Sequence, residues 1–255
     1  MPGRHIDATM DGAALPSGII IREVHEDAPT LEILNGERPG RAGQLVLGRK
    51  RQSLKVTLEC LITEIHNLQA RAEKAQALAQ WANGSVLTLS HHYNQQLNGY
   101  LSAVPSLGEV RDYNSPLRVE FTADVIPFWE STSTITRNVN NVKITSVSTS
   151  FNAGSVPAPL NVTVKPVSTT LTSFSVTTGG KTIALTGMSV GTLQTLYIDR
   201  DERDNLRIRR GTTSYMDKRT PESADDLLIT PGNVSISLNA DQNVNVTFTY
   251  KGRWA

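Results

Sequence analysis

Between Ser53 and Leu89 the spacing of apolar residues changes twice, and each change marks a predicted element. Leu54, Val56, Leu58, Cys60 and Ile62 occupy every second position, with Lys55, Thr57 and Glu59 between them. That is the period of a strand with one buried face. From Asn67 onward, Leu68, Ala72, Ala75, Leu78, Ala79 and Ala82 follow the three-and-four spacing of an amphipathic helix. Asn67 is placed to cap its start and Gly84 to end it. Val86 to Ser90 then alternates again. This is the one helix that the pattern predicts.

Around it the period is two. Gly18 to Val24, Leu31 to Leu34, Tyr100 to Val104 and Leu117 to Val125 read as strands, while Asn35 to Gly43 carries the turn residues and charge of an exposed loop. Together these predict a first domain over residues 1–130: an N-terminal β-sandwich with one α-helix against it. Glu130 to Asn141 is polar and almost without large apolar groups, so residues 131–141 read as a linker. Residues 142–255 carry short strands near 142–147, 160–165, 171–176, 182–185, 195–199, 205–209, 227–229, 234–238 and 244–250. Gly179-Gly180, Asp204-Asn205 and Pro231-Gly232 supply turns between them. The expected architecture there is a two-sheet, jelly-roll-like sandwich. Its last strand is a candidate to return to the first domain.

Composition supports two domains. All of His5, His25, His66, His91 and His92 lie in the first half, while the second is rich in Thr, Ser, Asn and Val. A net charge of +1 does not favour nucleic acid or an anionic membrane as a main partner. Cys60, the single cysteine, excludes an intrachain disulfide and shares the inward face of its strand, so a buried core thiol is expected. The opening residues have no apolar core and no run of about 18 apolar residues occurs. Neither a secretory signal nor a membrane span is therefore expected.

Candidate chemistry is sparse. His91 and His92 read as neighbours in a strand, which would aim them at opposite faces and prevent them from chelating one metal together. Asp199, Asp201 and Asp204 resemble a calcium loop in spacing, but the loop's glycine and distal glutamate are missing, and a charged hairpin turn is the better reading. No Gly-x-Ser-x-Gly motif occurs. No catalytic, cofactor-binding or metal residue is therefore assigned, and no cofactor is expected. Arg38, Arg41, Arg49, Lys50 and Arg51 gather around two predicted turns; they are candidates for a subunit or partner interface, against acidic positions such as Glu23, Glu26, Asp27 and Glu109. No aromatics interleave with them, so a nucleic-acid groove is not supported. Trp81, near the helix end, is expected in the core with Leu78. Trp129 and Trp254 are candidate junction anchors, since each large ring needs burial.

Taken in order, several motifs resemble the distal tail proteins of long-tailed, siphovirus-type bacteriophages. In the first half these are Gly48-Arg49-Lys50-Arg51-Gln52-Ser53-Leu54-Lys55-Val56, the helix from Leu68 to Ala82, Phe121-Thr122-Ala123-Asp124 and Pro127-Phe128-Trp129. In the second they are Asn152-Ala153-Gly154, Pro157-Ala158-Pro159, Leu196-Tyr197-Ile198-Asp199, Thr230-Pro231-Gly232-Asn233 and Tyr250-Lys251-Gly252-Arg253-Trp254. The resemblance covers nearly the whole chain. It implies a first domain that forms a hexameric ring (a homohexamer) and a second, galectin-like domain projecting outward. It also implies a ring that joins the major tail tube protein to the tail-tip or fibre-bearing protein, near the tape-measure protein. The location implied is the virion tail tip, after assembly in the bacterial host cytoplasm.

A carbohydrate-binding, lectin-like module of a cell-surface adhesion device is the competing reading, because such sandwiches bind sugars on an exposed aromatic ring. Tyr215 is a candidate for that ring. An enzyme is not expected: every histidine precedes the second domain and Cys60 points inward.

Overall fold

A computed structural model describes residues 6–36, 45–63, 67–103, 116–151 and 154–255. The chain divides into two compact units, one from Met1 to Trp129 joined by Ala255, the other from Glu130 to Trp254.

The first unit contains β1 (Ala8–Met10), β2 (Ala13–Ala14), β3 (Ile19–Asp27), β4 (Leu31–Gly36), β5 (Leu45–Arg51), β6 (Leu54–Ile62), α1 (Leu68–Ala82), β7 (Val86–Leu89), β8 (Gln95–Asn98), β9 (Tyr100–Ala103) and β10 (Leu117–Ala123). The alternation of β6 and β10 sets the main sheet, of order β3-β6-β10-β9. Leu117 pairs with Cys60, Val119 with Leu58 and Phe121 with Val56. All six are buried. A bulge between Ile21 and Glu23 shifts β3 on β6 by one residue. Beyond it the strand continues past the expected end at Val24, placing Glu26 opposite Val56. A second antiparallel set runs β2-β1-β7-β8, burying Met10, Leu87, Leu89 and Leu97.

Helix α1 lies against β6 and β10. The Asn67 side chain accepts from the amides of Gln69 and Ala70, closing the helix start as expected. Its buried face is Arg71, Ala75, Leu78 and Ala82, whereas Leu68 is exposed and Trp81 half-buried. The Trp81 indole N–H leaves the core to donate to the Ala13 carbonyl at 2.8 Å. Asn83, not Gly84, is the C-cap. Gly84 is needed for a different reason: a Cβ there would lie 2.4 Å from Met10 Cγ.

Strands β4 and β5 form a hairpin that pairs Leu31 with Arg51, Glu32 with Lys50 and Ile33 with Arg49. The basic run expected at a turn is therefore in a strand. Leu45-Val46-Leu47 starts that strand, and pairing with β4 carries it through Arg51.

The second unit takes up the chain within β11 (Trp129–Ser131) and continues through β12 (Ile135–Phe151), β13 (Ala158–Pro159), β14 (Asn161–Pro166), β15 (Phe174–Thr178), β16 (Lys181–Leu185), β17 (Leu196–Arg200), β18 (Leu206–Arg210), β19 (Thr213–Ser214), β20 (Leu228–Ile229), β21 (Gly232–Tyr250) and β22 (Arg253–Trp254). Its backbone is β21, 19 residues long. One edge pairs with β12 at 232–239 and, past an irregularity, at 244–250; the other pairs with β15 at 236–240 and with β14 at 244–249. Eight strands thus form one sheet, whose inner faces meet in a single core that includes Leu160, Val162, Phe174, Val176, Ile198, Ile208, Ile236 and Phe248. A sheet that buries one face in one cluster must curl around it. The architecture is mainly β, a galectin-like sandwich made by curling.

Two sequence expectations change here. The stretch read as a linker, 131–141, belongs to β11 and β12 from Ile135 on. Its polar side chains are cross-strand partners: Thr247 Oγ1 donates to Asn138 Oδ1 at 2.8 Å, and the Asn141 amide to Asn245 Oδ1 at 2.8 Å. The strands expected at 234–238 and 244–250 are one, because Ala240, Gln242 and Val244 keep the inward phase. Gln242 is buried but satisfied, its Oε1 accepting from the Thr169 amide at 2.8 Å.

Candidate functional site

A polar cluster of the first unit sits where the end of β3 meets the β7–β8 turn. His91 and His92 lie in that turn, not in a strand: the His92 amide donates to the Leu89 carbonyl and the Gln95 amide to the His92 carbonyl, each at 3.0 Å. Asn94 takes a left-handed φ of 58° to complete it. Freed from strand alternation, both rings face the same carboxylate. Glu26 Oε1 is 2.9 Å from His91 Nε2 and 2.8 Å from His92 Nε2. The other oxygen, Oε2, accepts from the Trp129 indole N–H at 3.1 Å. Trp129 is 2% exposed, and its ring stacks on His92 at 4.0 Å and 17°. Burial pushes the Glu26 carboxyl upward, but hydrogen bonds from His92 and His91, the His92 charge and the Trp129 N–H outweigh it and hold it at about 2. The expectation that these two rings point to opposite faces is therefore overturned.

A second group, Glu23, His25 and Glu59, lies on the same sheet. His25 Nε2 is 3.7 Å from Glu23 Oε2 and 3.9 Å from Glu59 Oε1. Arg118 Nε already donates to that same Glu59 oxygen at 3.1 Å. A cation of the protein's own thus occupies this group.

In the second unit the key side chain is Arg253, 5% exposed. Its Nε donates to Glu130 Oε1 at 2.8 Å, while its two terminal nitrogens donate to the two Asp204 oxygens at 3.1 Å each. The amides of Ser155 and Val156 donate to its carbonyl. Gly154, at φ 84°, admits this approach: a Cβ there would fall 2.0 Å from the Arg253 oxygen. Three of the sequence motifs, around Gly154, Asp199–Asp204 and Arg253, thus meet at one point.

The three aspartates expected in a hairpin turn have separate partners. Asp199 bonds Arg207 and Arg209, Asp201 accepts from the Arg203 and Asn205 amides, and Asp204 holds Arg253. Burial pushes the Asp199 carboxyl up, and its arginine partners more than reverse this.

Of the interface candidates, Arg38 and Arg41 lie outside the described residues, as does Glu109. Arg49 and Lys50 stand in β5. Arg51 places its guanidinium 5.0 Å from the Phe128 ring centre. Trp254 is half-buried in β22. Cys60 is fully buried, and burial pushes its thiol up to about 12. Tyr215, expected as an exposed ring, is buried, with its hydroxyl donating to the Ser189 carbonyl at 3.0 Å and Arg210 over its face. Arg209 covers Tyr197 in the same way at 4.3 Å. Phe174, Phe248 and Tyr250 of this unit are also buried, and Tyr197 is half-buried.

No family model matches the chain, and no curated protein does. Solved structures do. The SPP1 Dit (gp 19.1) protein, described as a paradigm of the hub adsorption apparatus in phages infecting Gram-positive bacteria, aligns with 96% of this chain and 98% of its own, at 14% identity and a TM-score of 0.66. The phage p2 baseplate in its activated conformation aligns over 97% of each chain, with Sr at 10% identity and a TM-score of 0.43, and with Ca at 12% and 0.40. The chain has the fold of the SPP1 Dit protein from end to end.

Proposed function

We propose that this chain is a distal tail protein of a siphovirus-type phage or related prophage tail: a structural, non-enzymatic component of the tail tip. The observation that carries the reading is the end-to-end agreement of both units with the SPP1 Dit protein. The same assignment arises separately from the ordered motifs of the sequence. In this reading residues 1–130 associate head to tail into a ring of six, the number coming from the resemblance. The ring joins the tail tube protein to the tail-tip protein, with the tape-measure protein near its channel. Arg38, Arg41, Arg49, Lys50 and Arg51 face a neighbouring subunit or tail protein, and Trp129 and Trp254 anchor the junction between the units. A net charge of +1 per chain keeps a six-fold assembly free of a large repulsive excess.

Head-to-tail contacts use two different patches and close when the rotation per subunit permits. Native mass spectrometry and negative-stain imaging of the full chain at high concentration, with and without tube protein, test this. Six-fold annular particles are expected. A persistent monomer, or a two-fold dimer without annuli even with tube protein present, would sink the ring.

A further inference from the structure

The hydrogen-bond arithmetic at His92 is the starting point. Gln95 Oε1 lies 3.2 Å from His92 Nδ1, and a carbonyl oxygen only accepts, so the proton sits on Nδ1. His92 Nε2 is 2.8 Å from Glu26 Oε1, which only accepts. A positive centre must lie between them, either a second ring proton or a metal ion held by the unprotonated nitrogen. His91 brings a third donor atom to the same point, its Nε2 at 2.9 Å from the same oxygen. The three ligand atoms lie within 4.8 Å of one another.

We propose that Glu26 Oε1, His91 Nε2 and His92 Nε2 bind one divalent transition-metal ion of the zinc class. Two imidazoles and a carboxylate suit zinc, nickel, cobalt or copper, whereas magnesium and calcium prefer oxygen-only shells. Metal–ligand bonds near 2.0–2.2 Å in a tetrahedral shell put ligand atoms roughly 3.3 Å apart. The carboxylate-to-imidazole separations thus need to open by about half an ångström for an ion of this size. Glu26 ends a strand and the histidines sit in a turn, so small rotations supply that movement. The surroundings resemble those that orient ligands elsewhere. Gln95 holds the remote nitrogen of His92, Trp129 stacks on its ring, and the Trp129 N–H takes Glu26 Oε2, leaving Oε1 for the ion. Side-chain exposures of 27% for Glu26 and 41% for His91 leave an approach from solvent and room for water ligands. The bound ion would tie the β7–β8 turn to the end of β3. In the competing arrangement a proton takes the ion's place: His92 is an imidazolium donating to both Gln95 and Glu26, or the Gln95 amide is reversed so that Nδ1 accepts and Nε2 donates; neither needs an ion.

The two differ in a titration. Isothermal calorimetry of the tag-free, chelator-treated full chain against zinc, nickel, cobalt and magnesium chlorides should show one site per chain for the first three and no heat for magnesium. His91→Ala, at the most exposed of the three ligands, and Glu26→Gln, of nearly unchanged shape, should each weaken binding tenfold or more. Circular dichroism confirms that each variant is folded. Glu23→Gln, in the neighbouring group, should leave binding unchanged, and X-ray absorption at the zinc edge should show two imidazole nitrogens. Absence of heat with all three transition ions, binding that survives His91→Ala and Glu26→Gln, or binding lost in Glu23→Gln overturns the proposal.

Discussion

At the scale of single residues, the second unit rests on a buried cation. Taking a guanidinium out of water is costly, and Arg253 tolerates it because two carboxylates, Glu130 and Asp204, surround it with donors and acceptors matched. Removing the cation while leaving both anions in place is the expensive change. Arg253→Met should therefore destabilise the second unit by about 3–5 kcal/mol, read as a lower urea midpoint. A loss under about 1 kcal/mol would mean that the group is hydrated like a surface pair. Little of this cluster was legible beforehand. The sequence places Glu130, Gly154, Asp204 and Arg253 far apart, and no periodic pattern links them. The histidine cluster escapes the periodic pattern for a related reason. Strand alternation ends at Leu89, and the left-handed turn at Asn94, which turns both rings to one side, has no periodic signature.

At the scale of elements, periodicity was the reliable guide wherever one face is buried and the other wet. The inward set of β6, the companion set of β10 and the Asn67 cap are all as the spacing implies. The helix tests how far that reasoning holds energetically. Leu78 has no exposed surface, on an element that packs against β6 and β10. Truncation of such a side chain costs about 2–5 kcal/mol, so Leu78→Ala should lower the melting temperature by several degrees. An unchanged melting curve would show that the helix is not packed there. Polar content was the unreliable guide. Asn138 and Asn141 made residues 131–141 look like a linker, yet they bond across the ladder to β21. The stretch between 238 and 244 reads as a break between two strands, although the phase of Ala240, Gln242 and Val244 runs on unshifted. In both places a polar residue signalled a hydrogen-bonded partner, Thr169 for Gln242, that only the tertiary structure reveals. Arg71 is the same lesson in the helix, a charged side chain at 1% exposure on the face read as alanine and leucine.

At the scale of the whole molecule, the remaining choice lies between a structural ring component and a lectin, and the fold alone does not make it, because sandwiches of this kind serve both. What separates them is surface chemistry. Sugar recognition on such a sandwich needs an aromatic face open to solvent, with polar groups converging beside it. In the second unit Arg209 lies over Tyr197, Arg210 over Tyr215, and Phe174, Phe248 and Tyr250 belong to the core. The unit also contains no histidine, and Trp254 is its sole tryptophan. Each arginine takes the face that a sugar would use, and displacing it would forfeit a cation–π contact of about 0.5–1 kcal/mol at an exposed site. Calorimetry of the full chain against lactose is therefore expected to show no saturable heat up to millimolar ligand. A saturable signal that disappears in Tyr197→Ala would reverse the assignment, making the second unit a glycan-binding module, and the ring would then have to be argued from the first unit alone.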